Sequence, residues 1–313
     1  MTSVAYPKKP KSKKQKIRSF KEFLMVLPFI LLVAVFAYYP LFGWAYAFCE
    51  YRPPAKPELA EPLTKWFTWM LDNPVRRSEL IRVLKNTFAI SGLALLFSWF
   101  PMFIAISLNE IRFKPFRKFV QTVTTLPNFI SWVLVFAIAF NVFSTSGAVN
   151  QIGMKLGLID PDMPIAFLKS SEHIWFKMWL WNTWKNAGWA AIMYIAAITG
   201  IDEEYMEAAK VDGANRLQII LHITIPSILP TYFVLVMLNI SNFLSTGWEQ
   251  FYVFQNSFNV NTIETLDLYI YNTGMNGGYS LSVAICIFKA FVSILLLFVS
   301  NKASKKIRGV GFI

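Results

Sequence analysis

Residues 207–230 read EAAKVDGANRLQIILHITIPSILP, a polar, sharply turned loop set between two membrane-length apolar segments. Glu207, Ala208 and Ala209 include strong helix formers, and Gly213 supplies a turn that needs no Cβ. The apolar stretch Leu217 to Ile225 follows, and Pro226 opens the next hydrophobic run. The spacing predicts a short helix, a glycine turn and a second short helix. Together they would form a compact knob on a membrane surface, of a shape that can dock into another protein.

The rest of the chain supplies the membrane. Of 313 residues, 55% are hydrophobic and only 15% charged, with a mean hydropathy of +0.45; a soluble protein of this length carries nearer a quarter charged residues. Apolar stretches of about 20 residues mark bilayer-spanning helices. Six are expected, near 23–48, 86–108, 119–143, 174–200, 226–246 and 279–300, which makes the fold an all-α, six-helix polytopic membrane protein. Pro28 and Pro40 are expected kinks or boundaries in the first. Lys177 and Lys185 interrupt the fourth, whose clearest part is Trp189 to Ile198.

Six spans put both termini on one side, together with the 109–118 and 201–225 loops. That side holds 18 Lys and Arg residues, against 9 in the longer opposite segments 49–85, 144–173 and 247–278. The positive-inside rule then places both termini, and the 201–225 loop, in the cytoplasm. The formal charge of +12 sits mostly in the two basic ends. Flanking membrane spans, those ends read as topogenic and anionic-lipid segments rather than as a nucleic-acid footprint, and no RNA- or DNA-binding motif appears.

The organisation follows. Residues 1–20 are expected to be a basic cytoplasmic tail, disordered or surface-lying, and 21–313 a transmembrane domain. The first apolar run is too long for an ordinary signal peptide and lacks a small-residue cleavage site. Residues 52–62 form a proline-rich external linker. Residues 63–71 place Leu63, Trp66, Phe67 and Met70 on one face, as an interfacial amphipathic helix or a buried core stretch. Residues 109–119 form a basic hairpin. Cys49 and Cys286 have no metal-ligand spacing and read as inert.

Enzymatic chemistry has no residues to stand on. There is no Walker-type phosphate loop, His173 and His222 fall on opposite sides of the expected topology, and no catalytic or metal constellation survives it. What the chain does have is aromatics and amides near the outer span ends. Segment 175–189 includes Trp181, Asn182, Trp184 and Lys185, and segment 239–252 includes Asn239, Asn242, Trp248, Glu249 and Tyr252. Asn128 and Trp132, after Pro127, are further candidates. Sugars present flat C–H faces and many hydroxyls, which aromatic faces and amides complement. Polar groups at membrane depth usually face a bundle interior or a wet cavity, although a tryptophan is as readily an interfacial anchor. Lys289 reads as a structural hydrogen bond to a neighbouring helix, or as a snorkelling side chain.

The 207–230 string resembles the "EAA loop" of permease subunits in binding-protein-dependent ABC importers. Glu207, Ala208, Ala209, Gly213, Ile225 and Pro230 fall on its pattern without departure. KNTFAISGLALLFSWFPMFIAISLNEIR (85–112), TLPNFISWVLVFAIAF (125–140), GIDEEYMEAAKVDGAN (200–215) and GWEQFYVFQN (247–256) resemble the carbohydrate branch that serves complex oligosaccharides and polysaccharide fragments, related to the maltose-type permeases. The resemblance implies the type I importer fold and a loop, with Glu207, Ala208, Ala209, Asp212, Gly213 and Ala214, that docks on an ATPase. It implies as partners a second permease subunit, two ATP-binding subunits, an extracytoplasmic solute-binding protein and an oligosaccharide, in a bacterial inner membrane with its lipids. It implies no cofactor in this chain, ATP and Mg being held by the ATPase subunits. Importers of peptides, phosphate or polyamines carry the same loop. An unenergised channel or scaffold would not need it.

Overall fold

The computed structural model describes residues 13–52 and 54–308. Helix α1 (Lys13–Val33) contains Pro28, widens into a π turn at Ala34–Tyr38 and tightens into a 3-10 stretch at Tyr39–Phe48. Pro40, with no N–H to donate, falls where the regular pattern is lost. Of the basic tail expected over 1–20, residues 1–12 lie outside the described residues, and α1 begins within the remainder. Strands β1 (Cys49–Glu50) and β2 (Glu58–Leu59) pair antiparallel, Cys49 with Leu59 and Glu50 with Glu58, so the proline-rich linker is the turn of a small hairpin in an otherwise helical fold.

A single turn, α2 (Lys65–Thr68), leads to α3 (Pro74–Leu96), where the Asn73 side chain accepts the Val75 N–H and Pro74 occupies the first turn, a favoured start for a helix. A three-residue break separates α3 from α4 (Phe100–Asn109). Then come α5 (Lys114–Thr125), a 3-10 turn at Leu126–Phe129, and α6 (Trp132–Phe143), whose N-cap Ser131 accepts the Leu134 N–H at 3.4 Å. After α7 (Ala148–Lys155) comes α8 (Ile174–Thr199), 26 residues without interruption and about 39 Å long. The loop elements are α9 (Glu203–Val211) and α10 (Arg216–Ile219). A π turn at Ile220–Thr224 joins α10 to α11 (Ile225–Ser241). Three short helices, α12 (Glu249–Phe254), α13 (Val260–Ile263) and α14 (Leu266–Met275), precede α15 (Tyr279–Arg308).

Five segments among the described residues are long and apolar enough to cross a membrane: Ser19–Phe48, Pro74–Asn109, Trp132–Lys155, Arg216–Ser241 and Tyr279–Lys306. The expected fourth span corresponds to the uninterrupted helix α8 but is not among the five, because Lys177, Lys185 and its asparagines lower its apolarity. The expected third span, 119–143, is not one helix. Pro127 and the extended residues Ile130 and Ser131 divide it into α5 and α6. The fifth ends at Ser241 rather than 246, and begins at Arg216.

The 63–71 stretch resolves toward the core. Met70 is buried with Val83, Leu244, Leu266, Leu281 and Ile285, and Trp66 and Trp69 pack on that cluster, while Leu63 is exposed. A second cluster, on Ile90, Val135, Met178, Phe251, Phe254 and Leu268, surrounds α12. A third joins α4, α8 and α11 through Ala105, Ala191, Tyr194, Ile198 and Ile228. Large apolar residues make up most of these clusters, while Ala105 and Ala191 in the third let α4 and α8 approach closely, as small residues do where only close packing discriminates between helix and lipid. Gly188 is the extreme case. A Cβ there would lie 2.1 Å from the Thr124 carbonyl oxygen of α5. Gly188→Ala must therefore push α5 and α8 apart. Such overpacking costs about 1–3 kcal/mol, and the expected outcome is a lower thermal-unfolding midpoint of the purified protein in detergent. An unchanged midpoint would show that this approach is not constraining.

Candidate functional site

The loop is held by its own backbone chemistry. Asp202 caps α9 by accepting the Glu204 N–H at 3.1 Å, and Glu203 and Glu204 sit in the first turn, where carboxylates suit the helix dipole. At the other end Gly213 has φ +77, the Gly213 N–H bonds the Lys210 carbonyl at 3.1 Å, and the Ala214 N–H bonds that of Ala209 at 2.9 Å. This is a Schellman stop, which satisfies the terminal carbonyls and favours glycine. Asn215 and Gln218 then form a reciprocal capping box, each side chain accepting the other's backbone N–H at 2.9 and 2.8 Å. The expected second short helix is therefore the first turn of a longer rod, since α10 passes through the π turn into α11.

Glu207, Ala208, Asp212 and Gly213 are exposed, while Ala209 and Ala214 are half-buried. Val211, 88% exposed, stands at the tip with exposed Tyr205 and Leu217. A concavity of about 320 Å³ in the same loop is lined by Ala209, Asp212, Gly213, Gln218 and His222 among others, and Tyr205, Val211 and Leu217 lie outside its lining.

Farther up the bundle lies a chain of amides. Asn128 Nδ2 donates to Asn186 Oδ1 at 2.9 Å, Asn186 Nδ2 to Asn182 Oδ1 at 2.8 Å, Asn182 Nδ2 to Gln250 Oε1 at 3.4 Å, and Gln250 Nε2 to the Met178 carbonyl at 2.7 Å. Lys185, only 7% exposed, donates to the Asn128 carbonyl at 2.7 Å and sits 5.5 Å from the Trp132 ring centroid. Asn182 and Asn186 face a cavity of about 250 Å³ that Asn239 of α11, Trp179 and Ser98 also line. A third group is linked to the amide chain through Gln250, which lies between Trp248 and Tyr252 in the sequence. Trp248 stacks on Tyr271 with centroids 3.9 Å apart and planes at 6°, and Tyr252 meets both edge-on.

The sequence-expected pathway residues therefore divide. Asn182 and Asn239 share the cavity. Asn128 and Lys185 are tied to it through the amide chain and the α5–α6 break. Trp248 and Tyr252 do not line the cavity but form the aromatic group with Tyr271, and Glu249 lies within electrostatic reach of Lys185. Trp181 does not face the cavity; it packs between Phe143 and Phe254. Trp132 packs on the α12 cluster. Trp184 is exposed, and Asn242 turns its amide back onto the Leu238 carbonyl at 3.0 Å. Lys289 pairs with Asp267 of α14, a hydrogen bond to a neighbouring helix. Trp179 and Asn186 belong to the aromatic and amide segment 175–189; they share a helical face with Asn182, three residues before it and four after, and that spacing was readable. Tyr271 was not singled out and had no local signal.

Membrane-length helices, a rigid exposed loop and a polar cavity among the helices define the membrane component of a solute transport system. The chain matches the family of binding-protein-dependent transport system inner membrane components over residues 98–308, and it belongs to that family. It is a multi-pass permease and not an enzyme. Protein LplB of Bacillus subtilis (strain 168) is 35% identical over 294 residues, covering 91% of this chain and 88% of the relative. The polygalacturonan/rhamnogalacturonan transport system permease protein YteP of the same organism is 35% identical over 308 residues, covering 96% and 93%. Among solved structures, a chain of a bacterial alginate ABC transporter in complex with alginate pentasaccharide-bound periplasmic protein has a TM-score of 0.80 at 32% identity, covering 95% of this chain and 98% of that one.

Lys185→Met keeps the length of the side chain and removes its donor, which leaves the Asn128 carbonyl without it. The expected cost is about 1–3 kcal/mol, read as a lower unfolding midpoint of the purified protein. A wild-type midpoint would show that the α5–α6 break is held by other means.

Proposed function

We propose that this chain forms half of the translocation pathway of an ATP-driven importer for an oligosaccharide or polysaccharide fragment, and that it couples to the ATPase through the 201–225 loop. A second permease subunit of similar fold completes the pathway. Two ATP-binding subunits hold ATP and Mg, and an extracytoplasmic binding protein delivers the sugar. Both termini and the loop face the cytoplasm of a bacterial cell, on the strength of the Lys and Arg distribution. The chain does no chemistry on the sugar. ATP-driven closure of the ATPase subunits moves the docked loops, and the bundle alternates between inward- and outward-open.

The observation that carries the sugar reading is the agreement between site and relatives. The amides of Asn182, Asn186 and Asn239 and the rings of Phe97, Phe100, Trp179 and Tyr194 line the cavity, and proteins matching nearly the whole chain are named for a polygalacturonan/rhamnogalacturonan system and an alginate transporter. The coupling reading rests on the rigid, exposed loop and on Glu207, Ala208, Ala209 and Gly213 within it.

The test is uptake by proteoliposomes holding the full complex and binding protein, offered labelled uronate oligosaccharides, neutral oligosaccharides, a peptide and phosphate. ATP-dependent uptake of a saccharide is expected; uptake of only the peptide or phosphate would overturn the sugar assignment. In the same system Gly213→Val places a β-branched residue at φ +77, at a cost of about 1 kcal/mol or more. It should leave the subunit in the membrane and abolish sugar-stimulated ATP hydrolysis, with Glu207→Ala weakening stimulation less. Normal stimulation and transport by Gly213→Val would remove this loop as the transmission point.

Topology is checked separately. Single cysteines in 201–225 and in 255–265 should label from opposite sides, only the second with an impermeant thiol reagent on intact cells. Same-side labelling would overturn the orientation and the docking scheme with it.

A further inference from the structure

Asp267 lies outside every candidate stretch, yet its carboxylate joins two other elements. One oxygen pairs with the Lys289 ammonium of α15. The other accepts the Gly247 N–H at 2.8 Å. Gly247 has φ +75, a conformation that a residue with a Cβ adopts at a cost, and Trp248 follows it directly. One turn along α14 from Asp267, on the same helix face, stands Tyr271, the ring on which Trp248 stacks at 3.9 Å. The helix that supplies the ring beneath Trp248 thus also supplies the acceptor for the backbone immediately before Trp248. The carboxylate and ammonium are mostly withdrawn from solvent. A well-packed apolar pair would stabilise the same contact as well or better, so the ion pair needs an account other than stability.

We propose that Asp267 is a positioning residue for saccharide transfer. Anchored by Lys289, it fixes the turn at Gly247 and so holds Trp248, Tyr271 and Tyr252 as one rigid aromatic platform. A sugar ring can rest its C–H face on this platform, which is linked to the amide chain through Gln250. The Asp267 carboxylate is already occupied and is not itself a sugar ligand. This inference rests on the importer reading above.

The experiment uses the reconstituted complex with its binding protein and a labelled oligosaccharide that the wild type imports in the panel above. Uptake and ATP hydrolysis are measured together. Asp267→Ala, Gly247→Ala and Trp248→Ala are each expected to lower sugar moved per ATP hydrolysed by about ten-fold or more, as misplacement of a binding group does, while binding-protein-stimulated hydrolysis persists. A variant that had merely lost folded complex would lower both rates together and leave their ratio unchanged. Asp267→Asn, which keeps an acceptor for the Gly247 N–H, should fall between wild type and Asp267→Ala.

The double variant Asp267→Ala/Trp248→Ala should be no worse than Trp248→Ala alone, because both act through one platform. If Asp267→Ala fails to assemble, Gly247→Ala carries the test, since a methyl group there meets open space and disturbs only the turn. A reduced ratio in Trp248→Ala with wild-type ratios in Asp267→Ala and Gly247→Ala overturns the positioning role and leaves the pathway reading intact. Full additivity in the double variant does the same. Wild-type ratios in all three overturn the platform and remove Trp248 from the pathway as well.

Discussion

A helix that stops within a segment of membrane-crossing length leaves carbonyls with no water to take them, and this fold is arranged around supplying donors at such stops. Lys185 is the main one. Its ammonium, buried in α8, donates to the Asn128 carbonyl at 2.7 Å, where Pro127 has broken the run between α5 and α6. Other polar side chains bridge neighbouring elements, as donors or as acceptors. Ser91 of α3 donates to the Phe243 carbonyl, just beyond α11, at 2.6 Å. Ser98, in the break between α3 and α4, bonds the Tyr232 hydroxyl at 3.0 Å. The Thr87 hydroxyl accepts the Leu266 N–H at 2.8 Å, and Asp267 accepts that of Gly247. These polar side chains are thus occupied by groups on neighbouring elements, and others, such as Thr122, Asn141 and Ser227, by carbonyls of their own helix. The few amides that also face the cavity are the better candidates for a solute.

The distinction explains what could be read from the sequence. The loop was legible because its determinants are local. Cap, glycine stop and capping box lie within Asp202 to Gln218, and each has a residue type that its backbone geometry requires. Five of the six spans were legible as apolar runs, but their ends were not. Pro127 and Asn128 interrupt the apolar run at 126–131, but a proline there reads as readily as a kink within one span as the boundary between α5 and α6. For α8 the problem is reversed. Lys177 and Lys185 depress its apolarity, yet both ammonium groups find backbone carbonyls, Lys177 that of Phe167 at 3.2 Å. A composition rule cannot know that a charge has partners 10 or 57 residues away.

The substrate residues were legible by type and not by direction. Tryptophans at 181 and 184 and amides at 182 and 186 read as one rich segment, but a helix distributes them around its circumference. Trp181 falls into the core, Trp184 outward and the two asparagines toward the cavity. The 239–252 segment divides for a different reason. Asn239 lies in α11 and Trp248 to Tyr252 lie after a break, so proximity in sequence does not make them one surface. What unites Trp248 and Tyr252 is Tyr271, about 20 residues further on and visible only once α14 folds back.

The loop and the cavity are joined by one element, and this gives the proposed coupling its mechanical form. α10, the π turn and α11 run from Arg216, three residues past Gly213, to Ser241, and Asn239 near the far end lines the cavity. A helical rod of that length spans roughly 39 Å. Its near end is locked by the capping box at Asn215, so a displacement of the knob enters the rod instead of being absorbed by a flexible linker. The π turn at Ile220–Thr224 is the place along it where the hydrogen-bond register changes, and such turns recur at functional sites in helices. Force entering at Gly213 in the proposed mechanism would therefore rotate or bend the rod about Ile220–Thr224 and shift Asn239 relative to Asn182 and Asn186. Those two sit on α8, which is tied separately through Lys185 to the α5–α6 break. One wall of the cavity is then carried by the lever and the other by the stitched bundle, an arrangement in which a movement at the loop changes the shape of the cavity.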